Sequence, residues 1–180
     1  MPFHPASSLA RLIETPVRPG VVAWIGARPA RREAMRAEPV AFLAAGRGLV
    51  GDRYANAGGA RQLTLIEAES LAAIASHLGR EGVDGAEVRR NVIVRGINLL
   101  ALKGRRFRIG AALLEASGEC HPCSRMEEVL GAGGYNAMRG LGGITARVIE
   151  GAPIAVGDAV VALASLSPAR PDAPPSARAP

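Results

Sequence analysis

The sequence has almost no lysine: Lys103 is the only one, and the net charge of +6 is carried by arginine. Aromatic residues are nearly as scarce, at 3 %, too few for the stacking platform that single-stranded nucleic acid requires. A nucleic-acid partner is therefore not expected. No apolar run approaches the roughly 20 residues of a membrane-spanning helix, and Met1 to Pro19 lacks the apolar stretch of a signal peptide. These absences point to a cytoplasmic protein with no membrane partner. Cysteine occurs only at Cys120 and Cys123. In a reducing compartment such a pair serves as a ligand or redox group in preference to a structural disulfide. Nothing in the sequence fixes the oligomeric state.

What is present suits one domain with its own core: 180 residues, 48 % of them hydrophobic and 21 % charged. Residues 1–19 mix proline, serine and charge and form a lead-in arm, with a short helix expected around Leu9 to Glu14. The domain proper spans 20–163. Residues 164–180 collapse to proline, alanine, serine and arginine, too polar to order themselves, and are expected to be a disordered tail.

Within the domain, strands are expected at Val21–Ile25, Pro39–Leu43, Arg61–Ile66, Asn91–Ile97, Arg106–Ile109, Ala112–Ala116 and Ile144–Ile149. The basic, proline-punctuated stretch Ala27 to Arg36 has the character of a solvated loop or a hairpin arm. Gly46-Arg47-Gly48-Leu49-Val50-Gly51 has the spacing of a dinucleotide turn, but loop chemistry comes after it where that turn needs a helix. Arg61–Ile66 alternates as a half-buried strand does. Thr64 and Glu67 have capping-box spacing, so this strand is expected to run straight into a helix carrying Leu71, Ile74, Ala75 and Leu78 on one face. His77 beside that face is expected to be a surface histidine.

Phe107-Arg108-Ile109-Gly110-Ala111-Ala112-Leu113-Leu114 is echoed by Ile154-Ala155-Val156-Gly157-Asp158-Ala159-Val160-Val161, each a strand, glycine turn and strand. The fold expected is mainly β with flanking helices (α+β), a small closed or partly closed, mostly antiparallel barrel.

The chemistry concentrates in Gly118-Glu119-Cys120-His121-Pro122-Cys123-Ser124-Arg125-Met126-Glu127. An apolar strand precedes it and helix formers run from Ser124 to Leu130, so Cys123 sits at a strand-to-helix joint. Pro122 stiffens the turn, and Arg125 and His121 make its surroundings electropositive. Four uses of this Cys-x-x-Cys pair remain open: thiol redox chemistry, half a zinc site, one thiolate on a softer metal, or two idle buried thiols. Thioredoxin-like chemistry calls for βαβ units that the surrounding short strands do not provide. Zinc wants four ligands, and distant His4 and His77 are poor fillers. Glycines at 131–134 and 140–143 suit either plain turns or a wall close to a ligand.

An ordered set of short motifs resembles the MOSC domain family: Gly48-Leu49-Val50-Gly51-Asp52-Arg53, Arg61-Gln62-Leu63-Thr64-Leu65-Ile66, Arg90-Asn91-Val92-Ile93-Val94, Gly96-Ile97-Asn98-Leu99, Pro122-Cys123 and Gly157-Asp158. The resemblance runs from about Gly20 to Leu163 and implies a barrel of MOSC type that binds a molybdenum cofactor of molybdopterin type. It implies reduction of N-hydroxylated small molecules at a metal ligated by Cys123, with an electron-donor or sulfur-donor protein as partner. The alternative is a non-catalytic carrier of sulfur, as a persulfide, or of cofactor. Cys123 occupies the place of the family cysteine, and Cys120 is an additional thiol that leaves room for a relay between the two. The resemblance implies Arg53, Arg61, Arg90 and Asn91 as cofactor-binding positions, and a phosphorylated pterin also needs cationic and N–H partners, for which Arg90, Arg125 and Arg139 are candidates.

Overall fold

The computed structural model describes residues 7–13, 15–54 and 57–164. A short helix α1 (Ser8–Ile13) leads to β1 (Gly20–Ala27), β2 (Arg36–Ala37), β3 (Val40–Ala44), β4 (Gly48–Leu49) and β5 (Leu63–Glu67). Helices α2 (Ala68–His77) and α3 (Gly85–Val88) come next, then β6 (Val92–Arg95) and a 3-10 turn at Leu99–Leu102. The chain continues through β7 (Arg106–Ile109), β8 (Ala112–Glu119), α4 (Ser124–Leu130), α5 (Gly134–Ala137), β9 (Ile144–Glu150), β10 (Ala152–Ala155) and β11 (Ala159–Ala162).

Seven strands close into a barrel in the order β1-β11-β7-β8-β9-β5-β6 and back to β1, with β2 appended to β1. Closure removes the open edges that an isolated sheet would expose. Every pair around the barrel is antiparallel except β5–β6, which runs parallel with Leu65 opposite Val92. A parallel pair needs a crossover, and α2 with α3 supplies it. A separate three-stranded sheet, β10-β3-β4, lies beside the barrel. Among the described residues no helix is long and apolar enough to cross a membrane.

Strand alternation sorts the apolar residues into two clusters. Leu63, Leu65, Val92, Val94, Phe107 and Leu114 fill the barrel interior. Ile66 and Ile93, on the opposite faces of β5 and β6, pack against Ile74 of α2 and against Met126 and Leu130 of α4. Both faces of β5 are thus covered and Leu63, Thr64, Leu65 and Ile66 are all buried, which corrects the half-buried reading of this strand. By docking on this outer cluster, α4 holds the segment after Cys123 against the barrel wall.

Two local expectations also change. Strand β5 does run straight into α2, but Glu67 is the N-cap, and its Oε1 accepts from the Leu99 N–H at 2.9 Å. Thr64 lies within the strand and bonds to Asn91. A reciprocal capping box is found instead at α3, between Asp84 and Glu87. The echoed strand-turn-strand segments also part ways: β7 and β8 form a hairpin, whereas β10 pairs with β3 and β11 with β7 and β1. Local pattern alone cannot distinguish a hairpin from two strands that leave for different sheets. The short arm helix lies where the sequence places it. The tail from residue 165 onward falls outside the described residues.

Candidate functional site

Asn91 immediately precedes β6 and joins three separated segments. Its Oδ1 accepts from the backbone N–H and the hydroxyl of Thr64, at 3.2 and 2.8 Å. Its Nδ2 donates to the Gly26 carbonyl at 3.3 Å and to Asp52 Oδ2 at 2.8 Å. Asp52 also accepts from the backbone N–H groups of Arg28 and Tyr54, at 3.0 and 2.8 Å. The end of β1, the starts of β5 and β6 and the loop after β4 are therefore fastened at one place. A buried amide and carboxylate tolerate burial only when their hydrogen bonds are made, as they are here.

Above this floor opens a cleft of about 200 Å³, lined by Arg28, Tyr54, Arg61, Arg89, Arg90, Cys123 and Arg125 together with the Asp52–Asn91 network. Cys123 is exposed, whereas Cys120 is buried and does not line the cleft. Cys123 is the N-cap of α4, in an extended conformation. A bulge in β8 between Ala116 and Gly118 shifts the register just before this turn, and such bulges bend a strand and re-aim the side chains beyond them.

Arg90 is buried and faces the protein. Its Nε donates to the Gly142 carbonyl at 2.8 Å, Nη1 to Val88 at 2.9 Å and Nη2 to Cys120 at 2.9 Å. Burial lowers its pKa from the ordinary value, while the neighbouring Cys120 acts in the opposite direction. Gly142 and Gly143 pass close enough for these contacts only because they lack side chains. A Cβ would stand 2.0 Å from the Cys120 carbonyl oxygen at Gly142 and 1.9 Å from that of Leu65 at Gly143. The close approach anticipated for this glycine segment is thus made to the protein's own backbone.

The open cations are others. Arg61 lies over the Tyr54 ring, 5.7 Å from its centre, at a distance that favours cation–π attraction. Arg125 pairs with Glu128, yet its buried Nε and that of Arg28 have no hydrogen-bond partner. Burial, followed by repulsion from Arg89, lowers the Arg28 pKa, and Asp52 partly offsets this. For Arg89, burial comes first and Arg125 second, with Cys123 acting in the opposite direction. Guanidinium groups crowded in this way are relieved by an anion.

Of the residues expected from sequence, Cys123, Arg61, Arg90, Asn91 and Arg125 meet at this cleft. Arg53 lines a second cavity that shares Arg89 and Arg125 with the first. Arg139 is exposed and lines neither. Arg28 and Arg89 were missed. Arg28 lies in the stretch assigned to a solvated loop or hairpin arm, and Arg89 stands beside Arg90 with no local signal to set their roles apart. His77 is exposed, and its Nδ1 lies 3.2 Å from the Ala137 carbonyl.

Solved structures share this architecture. YuaD from Bacillus subtilis superposes with a TM-score of 0.69 at 18 % identity, covering 80 % of this chain and 96 % of that one. YiiM from Geobacillus stearothermophilus gives 0.65 at 16 %, covering 80 % and 75 %, and YiiM from Escherichia coli 0.61 at 19 %, covering 85 % and 72 %. At these identities the likeness establishes the fold. No curated protein matches the sequence. The MOSC domain model matches residues 52–161, from the aspartate of the cleft floor to the strand that closes the barrel. With more than half of its residues inside that match, the chain belongs to the MOSC domain family.

Proposed function

We propose that the protein binds a molybdenum cofactor of molybdopterin type, with Cys123 as its metal ligand, and reduces N-hydroxylated small molecules there. The observation that carries this reading is an exposed thiol in a cleft crowded with guanidinium groups, two of which keep a buried N–H without a partner. Among the described residues no three histidine, cysteine, aspartate or glutamate side chains are placed to share a metal ion. The protein therefore offers one soft donor, which fits a metal that arrives with most of its ligands already in place.

When bound, the cofactor supplies a redox-active metal suited to removing oxygen from an N–O bond. The chain's own contribution is positional. Pro122 and the N-cap of α4 present the Cys123 sulfur, and Arg61, Arg89 and Arg125 offer donors to a phosphate. The Asp52–Asn91–Thr64 network keeps the floor rigid, and Arg90 fixes the backbone on either side of the cleft. The electrons come from a donor protein.

The test uses protein made in a host that synthesises the cofactor. Molybdenum, released pterin and reduction of an N-hydroxylated compound are measured for wild type and Cys123→Ala. Loss of metal and turnover in the variant is the expected result. A variant with unchanged molybdenum content and activity rejects the ligand assignment. A persulfide on Cys123 in wild type, without pterin, shows a sulfur carrier instead.

A further inference from the structure

Next to the cleft lies a second cavity of about 260 Å³, lined by Arg31, Arg32, Arg53, Arg89, Arg125 and Glu128. Its single carboxylate, Glu128, is already paired with Arg125. Like charges gathered in this way repel one another unless an anion joins them.

Backbone geometry marks the same place independently. Among the described residues only two besides glycines have positive φ, Arg32 at 67° and Arg89 at 58°, and both line this cavity. A left-handed backbone is unfavourable for a residue with a Cβ, and residues held in it cluster where function needs the side chain. In both cases that side chain is a guanidinium.

We infer that the Arg31–Arg32–Arg53 cavity is a second anion subsite, beyond Arg89 and Arg125, and that it receives a phosphoryl group of the substrate. This rests on the reading of the cleft as a cofactor site. There, Arg28, Arg61, Arg89 and Arg125 already answer the one terminal phosphate of a molybdopterin, and a second cationic chamber is more than that phosphate requires. The substrate is then a phosphorylated N-hydroxy compound, in which planar guanidinium forks match the phosphoryl oxygens.

Two measurements test this. Inorganic phosphate is titrated calorimetrically into full-length protein free of cofactor, comparing wild type, Arg61→Ala and the double variant Arg31→Ala, Arg32→Ala. Two sites are expected in wild type. The double variant weakens one by about tenfold or more and leaves the other, while Arg61→Ala does the reverse. Binding indifferent to Arg31 and Arg32 overturns the subsite, whatever becomes of the molybdenum reading.

The second measurement identifies the source of the phosphoryl group by mass analysis of pterin released from cofactor-loaded protein. A mononucleotide form supports the substrate assignment. A dinucleotide form assigns the second subsite to the cofactor and overturns it.

Discussion

The Nη2 of Arg90 donates to the backbone carbonyl of Cys120 at 2.9 Å, so the segment that leads into Cys123 is held by a guanidinium from the far side of the crossover. With its other two bonds going to Val88 and Gly142, Arg90 acts as an internal brace. Arg90→Ala is expected to lower stability by about 3 kcal/mol, because three buried carbonyls lose a charged donor. Arg90→Lys recovers only part of that, since an ammonium cannot reproduce the fork. Denaturant unfolding measures both.

Asn91→Asp puts a carboxylate where an amide N–H donates to Asp52 Oδ2 at 2.8 Å. Loss of that donor and repulsion between the two carboxylates are expected to cost about 3 kcal/mol near neutral pH. The deficit narrows on acidification as one of the pair takes up a proton. Unfolding of the variant and wild type across pH checks the trend.

Gly143→Ala and Gly140→Ala separate steric from conformational cost. Both glycines have positive φ, 76° and 77°, but a Cβ at Gly143 meets the Leu65 carbonyl oxygen whereas one at Gly140 meets nothing within 4 Å. Gly140→Ala is expected to lose about 1 kcal/mol through backbone strain alone. At Gly143 the loss rises to more than about 3 kcal/mol, because β5 must move. Thermal melting of the two variants tests the ordering.

Arg89→Gly releases the left-handed strain at φ 58°. The folded protein is expected to gain about 0.5–1 kcal/mol while losing phosphate affinity. A melting temperature that rises as binding falls is the signature; a simultaneous loss of both shows that the guanidinium is needed for folding.

Glu127 accepts from the backbone N–H groups of Tyr135 and Gly133 at 2.8 and 2.7 Å, which ties α4 to α5. These bonds, Tyr135 first, hold its pKa below the ordinary 4.5. A depressed carboxylate pKa contributes stability above the unfolded value and loses it as pH falls through the folded value. Glu127→Gln is therefore expected to be less stable than wild type at neutral pH, the gap closing below about pH 4.5. Acid titration of the two by circular dichroism tests this.

How much the sequence showed depended on how local the signal was. The strand and helix around Cys123 are written in neighbouring residues, and the ordered motifs carried the barrel with them. The parallel pairing of β5 and β6, and the departure of β10 for the small sheet, depend on partners tens of residues away and leave no periodic trace. Arg90 and Arg89 make the same point for the site. Both line the cleft, but Arg90 gives its donors to three backbone carbonyls, whereas Arg89, at the αL cap of α3, also lines the second cavity. Arg28 was hidden for a related reason. It comes directly after a strand, and only Asp52, 24 positions on, makes it part of a cleft.

Asn91 reaches partners 27, 39 and 65 positions away in the chain. Contacts that distant carry a loop-closure cost that local ones do not. All of these partners precede Asn91, so the floor of the cleft is built from residues 26–91, while the barrel around it closes only when β11 pairs with both β1 and β7. Retention of a ligand in the cleft therefore reports on the pairing of segments far apart in the chain as well as on the side chains that line it.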